Sequence, residues 1–360
     1  MKKLIKFLIP ILAFSTTVFS GCKKPENVDS RIVLSFGDVH STSSKDITLS
    51  FLKKLVDTDK ESFLLVVSSN TCGCWNEFQP SLNSYLSSTK TICYHVDYEQ
   101  IKDVASAYGL DLITSSTTTF AIFEQGKLKI SLCTSSDSKT MYDKERFAKW
   151  MNENVRLPLC YFITKDDAVS IIESGKNAVI YYERSECGDC LDLNPTILYD
   201  YAKNHPNSNK MYVVDLQEYW RAKTNPDSTP NPEFETIYMP VKNELGMTVE
   251  TNPTYGFGTG VFPYFSYIEN GNYASGAVAY NDTVQKQDDK YIVTDSYYSE
   301  ERVSLLQYTD TVIVGKELTS EDVNDNGAWV SWDHDSARKT YSPIINSFLD
   351  YALPKVTYNF

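Results

Sequence analysis

Short apolar runs alternate with amphipathic stretches over most of the chain, and that alternation predicts an α/β architecture. Residues 62–69, SFLLVVSS, are an apolar run bounded by serines, the pattern of a strand covered on both faces. Just before it, Ile47, Phe51, Leu52, Leu55 and Val56 recur at helical spacing and predict one buried helix face. Residues 31–36 and 91–98 read as further strands, residues 98–110 as a helix, and residues 118–132 as a hairpin turning at Gln125-Gly126. A helix over residues 143–155, carrying Phe147, Trp150 and Met151, closes this set.

The order of elements then begins again, with Arg156-Leu157-Pro158 at the seam. Residues 160–164 read as a strand, Thr164 as the N-cap of a helix bearing Ala168, Val169, Ile171 and Ile172, and Gly175 as its stop. Residues 177–183 and 211–217 are strand patterns, and residues 264–280 form a hairpin turning at Asn270-Gly271. A last helix begins at Ser342-Pro343, a favourable cap and first-turn pair. It presents Ile344, Ile345, Phe348 and Ala352 and stops at Pro354. Each half therefore runs strand, helix, strand, cysteine pair, helix, strand, helix, hairpin, helix. The spacings agree as well. Cys72 to Pro80 and Cys187 to Pro195 are both eight residues, as are Thr118 to Gly126 and Pro263 to Gly271. The shared order and spacings predict a divergent internal duplication, with domains at 31–156 and 157–360.

The cysteines carry the chemistry. In ERSECGDCLDLNP, residues 183–195, a buried strand runs straight into Cys187-Gly188-Asp189-Cys190. That order places the first sulfur at a helix N-terminus, where unpaired backbone N–H groups and the positive end of the helix dipole favour an anion. A thiolate is the nucleophile of disulfide exchange. Two intervening residues let the second sulfur reach the first within the opening turn. Pro195 falls inside the following helix, where it would kink it.

These residues resemble the thioredoxin-like superfamily. The resemblance rests on the strand, on Cys187 and Cys190, on Pro195 five residues after the second cysteine, and on Pro263 at the position of the family's cis-proline before a hairpin. The stretch VIYYERSECGDC is most similar to thioredoxin-like proteins of the bacteriocin transport accessory type. The fold implied is two thioredoxin-like domains, each a central mixed sheet flanked by helices. The activity implied is thiol–disulfide exchange, with Cys187 attacking and Cys190 resolving. Pro263, with Phe262, Gly188 and Asp189, would hold the substrate backbone. No cofactor is required for this chemistry. A non-catalytic envelope scaffold that kept the fold is the competing reading, and a permanent structural disulfide or half of a zinc site are the competing readings of the pair itself.

The departures from the family pattern are specific. Glu186 stands where thioredoxin has tryptophan before its first cysteine, and Gly188-Asp189 replaces the usual Gly-Pro. The family's buried acid falls on Tyr181; Glu183 is the nearest substitute. Because Glu186 and Asp189 put like charge beside Cys187, the thiolate is expected to be disfavoured and the pair to sit toward the reducing end. In the first half, Cys72 aligns with Cys187, but Cys74 comes one residue early, Trp75 takes the resolving place and Thr118 replaces the proline. Three readings stay open there: a degenerate structural half, a C-x-C redox pair, or a soft-metal site. Cys93, Cys133 and Cys160 lie in strand patterns and read as buried, inert thiols, and the four histidines as surface or packing residues. Between residue 217 and Pro263 a long insertion carries Trp220, Tyr238, Tyr255 and Phe257; it reads either as a loop that borders the sulfurs and shapes substrate access or as a plain surface excursion.

Charge and the chain start change the setting. With 34 basic against 47 acidic residues the net charge is −13, and no cluster of Lys and Arg stands out in the sequence, which together argue against a nucleic-acid partner. Residues 1–21 have three lysines, an apolar core and small residues before Cys22, the layout of a secretory signal. Ending in Gly21-Cys22, this segment resembles a bacterial lipoprotein signal. The resemblance implies cleavage before Cys22, lipid attachment there, a tether over 22–30 and an extracytoplasmic protein held to a membrane by that anchor only. Its partners would be the thiols and disulfides of envelope proteins. Finally, residues 322–333, DVNDNGAWVSWD, fit the start of a calcium loop, with Asp322, Asn324, Asn326 and Asp333 as ligands; a plain Asn-Gly turn is the alternative.

Overall fold

Two helix-flanked mixed sheets organise the chain, each built around a strand with no exposed residue. The computed structural model describes residues 29–57, 62–111, 113–225, 227, 229–248, 251, 262–278, 283–287, 290–294, 317–318, 342 and 345–360. The signal segment, Cys22, Tyr255, Phe257 and the calcium-loop residues Asp322, Asn324, Asn326 and Asp333 lie outside the described residues.

The first half comprises β1 (Ile32–Val33), β2 (Phe36–Asp38), β3 (Lys45–Asp46), α1 (Leu49–Asp57), β4 (Ser62–Ser68), α2 (Gly73–Thr89), β5 (Cys93–Asp97), α3 (Tyr98–Ile101), β6 (Thr119–Glu124), β7 (Lys127–Cys133), α4 (Thr134–Met141) and α5 (Lys144–Asn154). The second comprises β8 (Val155–Arg156), β9 (Cys160–Phe162), α6 (Lys165–Glu173), β10 (Ala178–Glu183), α7 (Gly188–Leu193), α8 (Tyr199–Asn204), β11 (Met211–Asp215), α9 (Gln217–Arg221), α10 (Phe234–Glu244), β12 (Tyr264–Glu269) and β13 (Asn272–Val278). A small sheet of β14 (Thr283–Gln287), β15 (Lys290–Thr294) and β16 (Glu317–Leu318) follows, then a helix over 345–352.

The strand orders match. The first sheet runs β3-β5-β4-β6-β7, and the second runs β2-β9-β11-β10-β12-β13. In both, the central strand (β4 or β10) pairs parallel with the strand that follows its helix and antiparallel with a hairpin. β4 and β10 are buried at every position, as an apolar run flanked on both faces requires. The two hairpins turn where positive φ is needed, at Gln125 and Gly126 (53° and 66°) and at Asn270 and Gly271 (52° and 78°).

Three elements differ from the sequence pattern. The helix expected over 98–110 is broken into α3 and a separate turn of 3₁₀ helix at Ala105–Tyr108. Phe51, expected on the buried face of α1, is 40% exposed, and it lines a cleft of 290 Å³ between the halves together with Lys54, Phe162, Glu183, Leu191 and Asn194. The insertion contains two unanticipated helices, α9 and α10.

The seam is also more interwoven than Arg156-Leu157-Pro158 suggested. β2 is the edge strand of the second sheet, parallel to β9, and β1 pairs with β8. Arg31–Phe360 form a single unit. Ser41 Oγ donates to Thr91 O at 2.7 Å, Tyr199 Oη to Glu124 Oε1 at 2.7 Å and Arg156 to Lys203 O at 3.0 Å. Gly37, in β2, is closed in from both halves. A Cβ there would overlap the Tyr161 ring on one side and meet Lys90 O at 2.6 Å on the other.

Gly37→Ala is therefore expected to destabilise the protein by about 1–3 kcal/mol, the usual cost of overpacking, read as a lower urea midpoint. An unchanged midpoint would place the seam elsewhere.

Candidate functional site

α7 follows β10 after a short loop, and Cys187 is its N-cap, with φ −81° and ψ 124°. Cys72 is the N-cap of α2 with nearly the same backbone, φ −74° and ψ 124°. The loop before each cysteine is pinned alike. Asp215 Oδ1, at the end of β11, accepts from Ser185 N at 3.0 Å and Gln217 N at 2.9 Å. Asp97, at the end of β5, accepts from Asn70 N at 3.3 Å and Glu99 N at 2.8 Å. Ser185 and Asn70 each stand two residues before the first cysteine. The sequence signal for these aspartates was present in the paired VVDLQ and HVDYE, but it became legible only through the register of the strands.

Cys187 and Cys190 are free thiols, and they are unequal. Cys187 is 7% exposed and Cys190 1%. The Cys190 thiol hydrogen-bonds to the Cys187 sulfur and, aided by the Cys190 and Asp189 backbone N–H groups and the nearby Arg184 guanidinium, brings Cys187 down from 9.0 to about 5 against the opposing effect of burial. Burial, followed by the charge and hydrogen bond of Cys187 and the charge of Glu183, pushes Cys190 far up. At neutral pH this is a thiolate beside a buried thiol, the division of labour that exchange requires.

One of the two charges behind the expected reducing bias, Glu186, is paired here. Glu186 does not face Cys187 as an unpaired charge: it accepts from Gln217 Nε2 at 2.8 Å and from Arg221 at 2.7 Å. A stabilised thiolate favours the reduced pair. Behind Cys190, Tyr181 Oη donates to Asn194 Oδ1 at 2.9 Å, and Asn194 Nδ2 donates to Glu183 Oε2 at 2.6 Å. Glu183 is 2% exposed, so the carboxylate on this side of the pair is buried. Pro195 lies in a π-helical turn, Asn194–Leu198, between α7 and α8, whereas Pro80 is accommodated inside a continuous α2.

The Phe262–Pro263 peptide bond is cis, and Phe262 is packed in the same core cluster as Cys187 and Cys190. Gly188 and Asp189 form the first turn of α7. From the insertion, Phe234 and Tyr238 of α10 belong to this cluster and Trp220 of α9 packs against it. Arg184, which motif reasoning passed over, lies with its Cζ 4.0 Å from the Trp220 ring centre and 5.7 Å from that of Phe262.

In the first half, Cys72 and Cys74 form a disulfide. Thr118, in the place of Pro263, donates to Cys74 Sγ at 3.2 Å. Trp75, at the resolving position, stacks on His95 at 4.9 Å and 2°. His95 is not a surface residue: its ring bonds to Asp46 Oδ1 at 2.7 Å and to Ser68 Oγ at 2.8 Å. Ser68 is fully buried and the Asp46 side chain is exposed, so His95 links the core under Trp75 to the surface. Cys93 and Cys160 are buried with thiols pushed up by burial. Cys133 is buried as well, but its thiol shifts the other way. Although burial raises its thiol, hydrogen bonding, led by Ser135 Oγ at 3.2 Å, takes it below the ordinary value. Among the described residues no group of three or more His, Cys, Asp or Glu side chains is arranged to hold a metal ion.

Strand order, the cysteine at a helix N-terminus, the proline within the helix and the hairpin preceded by Pro263 together make the fold thioredoxin-like. No family model and no curated protein matches the sequence. Similar solved structures include thioredoxin from Fasciola hepatica, with 14% identity over 34% of this chain and 98% of that one and a TM-score of 0.23. Thioredoxin NaTrxh from Nicotiana alata has 19% identity over 32% and 96%, with a TM-score of 0.24. Human ERp44 in a zinc-bound form has 10% identity over 65% and 52%, with a TM-score of 0.25.

Alkylation of Cys187 in the reduced protein is expected to follow thiolate fraction, with a midpoint at about pH 5. Because the folded thiol lies below its ordinary 9.0, the stability it gives the reduced protein is complete above pH 9 and is lost as pH falls through about 5. An alkylation midpoint near the ordinary thiol value would contradict the electrostatics described here.

Proposed function

We propose that the protein is a lipid-anchored, extracytoplasmic thiol–disulfide oxidoreductase acting on envelope proteins through Cys187 and Cys190. The observation that carries this reading is the inequality of the two sulfurs at the start of α7, Cys187 lowered to about 5 and 7% exposed, Cys190 raised and 1% exposed. The lipid anchor rests on the apolar segment ending in Gly21-Cys22.

The Cys187 thiolate attacks one sulfur of a substrate disulfide. That bond breaks, the departing sulfur takes up a proton, and a mixed disulfide remains. Cys190 then gives up its proton, with the buried Glu183 as the carboxylate whose charge acts on it, and attacks the Cys187 sulfur. The second substrate thiol leaves, and the protein holds a Cys187–Cys190 disulfide. The substrate has gained two electrons and the protein has lost two; run backwards, the same steps oxidise a dithiol. Phe262, Pro263, Gly188 and Asp189 would flank the substrate backbone during attack. The first half, closed by its own disulfide, would position the second and bind partners.

Cys190→Ser is expected to accumulate mixed disulfides with envelope proteins, seen as dithiothreitol-sensitive bands, and Cys187→Ser to abolish both these and the reduction of a model disulfide. If Cys190→Ser captures nothing while folding normally, the non-catalytic scaffold is the correct reading.

A further inference from the structure

Among the described residues, the Arg184 guanidinium beside Cys187 is held by rings rather than by carboxylates. Its Cζ lies 4.0 Å from the Trp220 centroid and 5.7 Å from that of Phe262, while Lys223 Nζ lies 4.6 Å from the same indole. Stacking of this kind fixes the plane of the guanidinium and leaves its N–H edge unspent. The acids nearby are committed elsewhere: Glu186 to Gln217 and Arg221, Asp215 to the backbone N–H groups of Ser185 and Gln217. Among the described residues the Arg184 side chain has no hydrogen-bond acceptor, and its Nε is buried without one. A buried unpaired donor calls for an explanation, the more so in a chain with 47 acidic residues against 34 basic ones.

We propose that Arg184, clamped between Trp220 and Phe262, is a carboxylate-binding subsite that selects substrates carrying an acidic residue beside the disulfide. The proposal rests on the exchange chemistry assigned above to Cys187 and adds its specificity. A carboxylate seated on the guanidinium edge would form charge-assisted bonds with donors already oriented. Those bonds would hold the adjoining substrate disulfide against the sulfur that Arg184 also faces. The two helices of the insertion then have a purpose, because α9 supplies Trp220, and Phe234 and Tyr238 of α10 pack at 5.3 and 5.5 Å from it.

The test uses two disulfide-linked model peptides that differ only in the residue next to cysteine, aspartate or lysine, with dithiothreitol as turnover reductant. The wild-type protein should prefer the aspartate peptide by about ten-fold or more in kcat/KM, the scale of one hydrogen bond to a charged group. Added salt should shrink that preference. R184Q should slow both peptides, through the loss of thiolate stabilisation, and bring their ratio close to one. R184K, which keeps the charge without the planar fork, should fall between. A wild-type ratio near one, or a ratio unchanged in R184Q, overturns the proposal while leaving the exchange function intact. If the wild type reduces neither peptide, the exchange function fails and calorimetry decides the subsite. Cys→Ser versions of the peptides should then still bind with a preference for aspartate that disappears in R184Q, and equal binding of the two overturns it.

Discussion

A negative charge on sulfur at the opening of α7 is the condition that the surrounding structure serves. Burial alone would forbid it, since removing a thiolate from water raises the thiol. Here the opposing contributions are all short-range and all come from the local chain: the Cys190 thiol, two backbone N–H groups of the first turn, and the Arg184 guanidinium. Each depends on β10 delivering residue 187 to the helix start in an extended conformation, and on Asp215 holding the loop between. A strand packed on both faces gives that delivery its rigidity.

The two halves show which parts of this device come with the fold and which do not. The N-cap backbone, the pinning aspartate and the strand order occur in both. Among the described residues, the buried second thiol, the cation and the cis peptide are found around Cys187 and not around Cys72. In the first half their places are taken by Trp75 on His95, by a disulfide closed to Cys74, and by Thr118. The scaffold was kept on both sides, and the asymmetry of the sulfurs on one.

Much of the architecture was legible because it rests on local chemistry. Uninterrupted apolar runs identified β4 and β10, and Asn-Gly and Gln-Gly pairs fixed the hairpin turns. The spacing of Cys187, Pro195 and Pro263 marked the site. What could not be read depended on residues distant in the chain. Nothing in residues 36–38 says that they pair with β9 rather than with the sheet that follows them. The weight of the charge at Glu186 was misread because its partners Gln217 and Arg221 come from α9, distant in the chain. Arg184 has no motif of its own, and its surroundings appear only when Trp220 from the insertion and Phe262 from the start of the second hairpin are brought to it. Phe51 has helical spacing suited to a buried face, yet it borders the cleft between halves that share a seam.

The most direct measurement is the reversible redox titration of the full-length protein in a graded dithiothreitol buffer, with thiol labelling and mass mapping to follow each cysteine. The account predicts that Cys187 and Cys190 pass together between dithiol and disulfide as one two-electron couple, without loss of fold. It is contradicted if the two stay as separate thiols across the range, or if only Cys72 and Cys74 respond.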